Sequence, residues 1–197
     1  MRQSKYAQKL KQFLQKPFFT NAEAKNCGIP RQALDHFVKK KIIRRLSPGI
    51  FAPVDYEPKV EFQWESLALV AATIPKGVIC LISALCYYDL TDQIMREAWI
   101  AVPNGSYLPK RPRTRIIKMR NLVLGRIKIK MGEYDVNIFD RERCIVDAFR
   151  YLSIEIALKA LQKYLRNKKH KPQLGKLTDY AKILHVDITP YILAYTT

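Results

Sequence analysis

Residues 19–53 read FTNAEAKNCGIPRQALDHFVKKKIIRRLSPGIFAP, and the order of caps, breakers and apolar positions in this stretch decides the fold. Thr20-Asn-Ala-Glu23 is a capping box: the Thr hydroxyl can accept from the Glu23 amide while the Glu23 carboxylate reaches back, so a short helix runs from here through Asn26. Gly28 stops it, because glycine takes left-handed backbone at no steric cost. Pro30 then opens another helix, where its missing N–H is no loss. From Arg31 to about Lys40 the apolar residues Leu34, Phe37 and Val38 form one stripe that must face a core. Opposite them lie Gln32, His36 and Lys39, with Arg31 and Asp35 on one flank and Lys40 on the other. Ile42–Leu46 and Ile50–Ala52 are β-branched or aromatic runs around Ser47-Pro48-Gly49, a strand, turn and strand.

Upstream, Tyr6, Leu10, Phe13 and Leu14 repeat at helical spacing within Lys5–Gln15, and Pro17 ends that helix. A helix, a glycine turn, a second helix with a polar outer face and then a basic hairpin is the layout that lays a helix in the DNA major groove with a wing beside it. Residues 1–53 are therefore expected to form a winged helix-turn-helix. Its expected DNA contacts are Arg31, Gln32, Asp35, His36, Lys39 and Lys40 on the helix and Arg44, Arg45 and Ser47 on the hairpin. Gln32 can pair with adenine in a bidentate manner, and Arg31 can reach guanine or a phosphate. Arg44 and Arg45 are neighbours on a strand, so they point to opposite faces and at least one is exposed to phosphate or the minor groove.

The charge agrees with this reading. The chain has 197 residues and a formal net charge of +18. Residues 1–53 carry twelve Lys and Arg against only Glu23 and Asp35, and residues 110–130 carry nine with no acid, which leaves the rest close to neutral. A smaller cluster, Lys163, Arg166, Lys168, Lys169 and Lys171, lies within that remainder. Localised charge of one sign points to a polyanionic partner, because phosphates bound by Lys and Arg release condensed counterions.

Residues 54–60, with Pro58 and mixed charge, read as a linker to a second domain over 61–197. That domain begins with an apolar helix over Glu61–Ile74, ended by Pro75, followed by a segment from Gly77, a helix over Ser83–Leu90 and a strand over Ala98–Val102. Asn104–Pro112 reads as a loop, and two strands of alternating basic and apolar residues follow, Arg115–Met119 and Arg126–Met131, then Tyr134–Phe139. Lys110, Arg111, Arg113, Arg115, Lys118, Arg126, Lys128 and Lys130 form a candidate second basic surface. It suits a phosphate-tracking face, a docking face for an acidic protein or RNA, or a charge guard against edge-to-edge pairing. Asp140 can cap a helix to Leu152, on which Arg143, Asp147 and Arg150 have the spacing of a surface ion-pair ladder. Helices over Ile154–Leu165 and Leu174–Leu184 and a short one after Pro190 complete the chain. The fold class is α+β: a winged helix-turn-helix followed by a mixed α/β domain with a small sheet surrounded by helices.

Several function classes are disfavoured. Phosphate-binding, dinucleotide-binding, nucleophile-elbow and H-E-x-x-H motifs are missing, as are paired strand aspartates after a Gly-Ser turn. Cys27, Cys80, Cys86 and Cys144 have no C-x-x-C spacing and sit among apolar neighbours, so they read as buried, reduced thiols. No catalytic residue, metal ligand or cofactor is expected, and the protein is not expected to be an enzyme. The longest apolar run, Leu67–Ala72, is far short of the ~20 residues that span a bilayer, and the basic, polar start carries no secretory signal. A cytoplasmic protein with no membrane partner is expected. Two alternatives remain: a nuclease-like enzyme targeted by a winged helix, and a regulator that senses a ligand in the second domain.

Several strings together resemble a known family. Phe19-Thr-Asn-Ala-Glu-Ala24, Gly28-Ile29, the helix that follows, and Ile43-Arg44 to Gly49-Ile-Phe51 resemble the winged helix of AbiEi-type antitoxins, with Lys40-Lys41 where that family usually has a glycine before the wing. Pro75–Cys80, Ser83-Ala-Leu85, Leu90-Thr91, Ile100–Pro103, Glu142–Asp147 with Phe149-Arg150, and Leu177–Ala181 resemble its second domain. The resemblance implies a bacterial regulator of a type IV toxin–antitoxin system linked to phage defence by abortive infection. It implies a repressor that binds inverted repeats in its own promoter and counters a nucleotidyltransferase toxin, with or without direct contact.

Overall fold

The computed structural model describes residues 5–57, 59–107 and 111–196. The chain divides into two compact units, Met1–Glu61 and Phe62–Thr197.

The first unit contains α1 (Ala7–Leu10), a 3-10 turn (Lys11–Phe13), β1 (Phe19–Thr20), α2 (Asn21–Asn26), α3 (Arg31–Lys39), β2 (Ile43–Ser47) and β3 (Ile50–Pro53). The first helix is shorter than the periodicity of Lys5–Gln15 predicts, because its last turn tightens to 3-10 before Pro17. The capping box forms: Glu23 N donates to Thr20 Oγ1 at 3.2 Å and Thr20 N donates to Glu23 Oε2 at 2.7 Å. Strand β1 is absent from the sequence reading; two residues pair antiparallel with β3, Phe19 opposite Phe51, and complete a three-stranded sheet in the order β1-β3-β2. Leu10, Phe13, Phe19, Ala24, Ile29, Leu34, Phe37, Ile43 and Phe51 make one core, in which the Phe19 ring lies 4.7 Å from Phe13 and 5.8 Å from Phe51. Burying side chains of this size stabilises by about 1.5–3 kcal/mol each, which fixes a sheet otherwise too small to stand alone.

The second unit contains α4 (Phe62–Thr73), β4 (Val78–Ile79), α5 (Leu81–Tyr87), β5 (Ala98–Pro103), β6 (Thr114–Met119), β7 (Arg126–Met131), β8 (Tyr134–Phe139), α6 (Arg141–Tyr151), α7 (Ile154–Leu165), α8 (Leu174–Ile183) and α9 (Thr189–Thr196). Helix α5 starts and ends earlier than Ser83–Leu90, since Cys80 is its cap and Asp89, at φ +55°, closes its last turn. The five-stranded sheet runs β6-β5-β4-β8-β7, with β4 parallel to β8, β5 parallel to β6, and the other two pairs antiparallel. Helix α6 packs against α5, α7 and α8, and every residue from Glu142 to Ala148 is buried. Two cysteines depart from expectation: Cys80 and Cys144 are buried, whereas Cys27 and Cys86 are half-buried, and all four are free thiols.

The Arg143, Asp147 and Arg150 trio is not a surface ladder. Arg143 and Asp147 side chains are 1% exposed and paired at 2.7 Å, and Arg150 reaches Asp147 at 2.9 Å from the rim. The Arg143 guanidinium also donates to the backbone carbonyls of Leu124 (2.9 Å) and Asn121 (3.0 Å) and lies 4.5 Å from the Phe139 ring. It therefore fixes the link between β6 and β7 to the central helix. Burial pushes the Asp147 carboxyl up from its ordinary range, while the two guanidiniums pull the other way. Gly125 is required beside this knot, since at φ +71° an added Cβ would stand 2.7 Å from Arg143 Cβ.

Candidate nucleic-acid interface

Helix α3 is positioned by Leu34 and Phe37, both buried, and by a left-handed residue at its end. Lys41 N donates to Val38 O at 3.0 Å and Ile42 N to Phe37 O at 3.1 Å, with Lys41 at φ +56°. This is the hydrogen-bond pattern of a Schellman cap, and it turns the chain directly into β2. Arg31, Gln32, His36, Lys39 and Lys40 are exposed along the helix, and Asp35 is half-buried.

The hairpin separates its two arginines. Arg44, opposite Ala52, is exposed, with no carboxylate partner among the described residues. Arg45, opposite Phe51, lies 5.4 Å from that ring and pairs with Asp35 at 2.6 Å. The pairing gives Asp35 a different part from the DNA contact assigned to it in the sequence: its carboxylate ties the hairpin to α3. A bare carboxylate facing phosphate would repel it, and the guanidinium removes that cost.

Between the start of α3 and the hairpin lies a groove of about 360 Å³, lined by Asn21, Arg31, Arg45, Ser47 and Gly49 among others. The Ser47 hydroxyl is buried there without a hydrogen-bond partner among the described residues. Arg31 and Arg45 border it, and their positive charge suits a phosphate oxygen. Nothing in the sequence indicated that Arg31 and Arg45, fourteen positions apart, would share one recess.

Residues 8–54 match the family model described as a transcriptional regulator of the AbiEi antitoxin type. Over that span the chain is similar to the AbiEi-type regulators. The match runs from within α1 through β3 and so takes in every residue of this interface; it stops before the second unit. No curated protein matches the chain. A match to a transcriptional-regulator family agrees with the polar outer face of α3 and the basic hairpin.

The candidate second basic surface divides. Strands β6 and β7 occupy opposite edges of the five-stranded sheet, four strand spacings or about 19 Å apart. On the β6 side Arg115 pairs with Glu97 at 2.8 Å and lies 4.3 Å from the Trp99 ring, and Arg111 donates to Thr73 Oγ1 at 2.6 Å. Arg113 and Lys118 are exposed, and Lys110 lies outside the described residues. On the β7 side Arg126, Lys128 and Lys130 share one face and are exposed, with Asp135 opposite Lys130. The apolar face of β7 is only partly covered, Ile127 being 40% exposed. The basic residues of 110–130 that the structure describes do not make one surface, because strand order places β6 and β7 apart.

Among the described residues, no group of three or more His, Cys, Asp or Glu could hold a metal ion, and no helix is long and apolar enough to cross a membrane.

Proposed function

We propose that this protein is a sequence-specific transcriptional repressor of its own operon and the antitoxin partner of a nucleotidyltransferase toxin, acting in the cytoplasm. The observation that carries the DNA-reading part is the exposed row Gln32, His36 and Lys39 on α3, with Arg44 on the adjoining hairpin, inside the AbiEi-type segment. Gln32 and His36 read base edges in the major groove, while Arg31 and Arg45, beside the turn that begins at Ser47, hold a backbone phosphate in the recess between helix and hairpin. Arg44 meets phosphate or the minor groove, and Asp35 orients Arg45. Inverted repeats are the expected target, each read by one winged helix.

A reporter driven by the gene's own upstream region tests the repressor. Expression of the protein lowers reporter output, and Gln32→Ala with His36→Ala restores it. Unchanged output with the wild-type chain contradicts repression. Co-expression with an adjacent nucleotidyltransferase gene tests the antitoxin: growth is rescued by the wild-type chain, and failure of rescue removes that half of the reading.

A further inference from the structure

The structure gathers a second set of cations that has no part in the winged helix. Helix α7 ends at Leu165 with Arg166 as its cap, and Lys168, Lys169 and Lys171 follow, all exposed. Their loop is held at both ends. Asn167 Oδ1 accepts from Lys169 N at 2.9 Å and His170 N at 3.0 Å, and Gln173 N donates to the Tyr164 hydroxyl at 2.7 Å. The lysines are thus presented from a set backbone.

Two grooves meet at Lys169. One, of about 410 Å³, is bordered by Lys163, Arg166 and Lys168; the other, of about 460 Å³, by Arg141, Lys171, His170, Tyr88 and Ile127. The acids nearby are already engaged. Asp140 and Glu142 are held by Lys176 at 2.9 and 3.3 Å and by the hydroxyls of Tyr180 and Tyr164, and Asp92 is held by Lys163 at 2.6 Å. The exception is Asp89, which borders the first groove, exposed and 3.9 Å from Lys163. Arg141, Arg166, Lys168, Lys169 and Lys171 have no carboxylate partner among the described residues. A helix C-terminus favours cations in its last turn only, so it does not account for the lysines beyond the cap.

The floor is not purely ionic. Strand alternation turns Ile127 to the opposite side from Arg126 and Lys128, and it lines the groove beside Tyr88 and His170. Unpaired guanidiniums and lysines along a track, with ring and apolar surface beside them, are what a single strand needs: charge for its phosphates and flat contact for its bases.

We propose that the second unit binds a single nucleic-acid strand in these joined grooves, with Arg141, Arg166, Lys168, Lys169 and Lys171 on its phosphates. The site is independent of the operator reading. It is tested in the full chain carrying Arg31→Glu, Lys39→Glu and Arg44→Glu, which silences the winged unit. The probes are labelled mixed-sequence RNA and DNA single strands, followed by anisotropy at stepped salt.

The silenced chain binds at least one of the two strands. Adding Lys168→Glu, Lys169→Glu and Lys171→Glu weakens that binding at least about tenfold and lowers the salt slope by about 2, at roughly 0.7 per phosphate contact. The three positions lie outside helices and strands, so the melting temperature holds, and the triple Gln variant gives the same direction with a smaller loss. Unchanged affinity in the Glu variant overturns the proposal. So does a silenced chain that binds neither strand, or one that prefers polyglutamate to either oligonucleotide.

Discussion

Lys41 holds a left-handed backbone, φ +56°, at the point where α3 gives way to the wing. Gly28 does the same job after α2, with Gly28 N on Lys25 O and Ile29 N on Ala24 O. Asp89 and His185 repeat it after α5 and α8. A glycine rule finds only Gly28; the others are dictated by what must come next in space. A non-glycine residue in this conformation costs roughly 1–2 kcal/mol, partly offset by its smaller loss of chain entropy on folding. Lys41→Gly is therefore expected to stabilise the first unit by about 0.5–1 kcal/mol in urea denaturation. Arg143 is the opposite kind of residue, a buried charge each of whose three guanidinium nitrogens donates a hydrogen bond. Asp147→Ala strands that charge and is expected to cost about 3–5 kcal/mol, read as a fall in the urea midpoint. The i, i+4 spacing of the pair was visible in the sequence. Its burial was not, since that depends on the link between β6 and β7 folding over the helix.

At the level of elements, α3 and the hairpin have separable parts. Gln32→Ala with His36→Ala removes base contacts and is expected to cost about 1–3 kcal/mol on the operator at each position read, with little change on random duplex. Arg44→Ala should weaken both duplexes alike and reduce the salt slope by about 1. Competition binding at two salt concentrations distinguishes these outcomes, and equal losses on both duplexes for the Gln32 and His36 pair would count against base reading. These elements were legible because their signals are local: a capping box, Gly28, Pro30 and an apolar stripe at helical spacing. Strand β1 was not, since two residues carry no periodicity and exist as a strand only by pairing with β3. The division of the 110–130 charges had the same cause, because strand order is set by pairings between distant segments. The Asp35–Arg45 bond was hidden likewise, joining a helix to a hairpin ten positions on.

For the molecule as a whole, the charge distribution separates two tasks. The first unit places half of the twelve cations of residues 1–53 between Arg31 and Arg45, on α3, its cap and the hairpin, within the matched segment. The second unit uses some of its cations structurally, Arg143 in the core, Arg115 and Arg111 at one sheet edge, and leaves others unpaired around α7. Composition alone could indicate a polyanionic partner but not which cations are free to meet it. The central claim is that α3 with its hairpin reads duplex sequence. A mobility shift of the full chain on its own upstream DNA, against a random duplex of equal length at the same salt, tests it most directly. The account predicts upstream binding tighter by at least about a thousandfold; equal affinity for the two duplexes would contradict it.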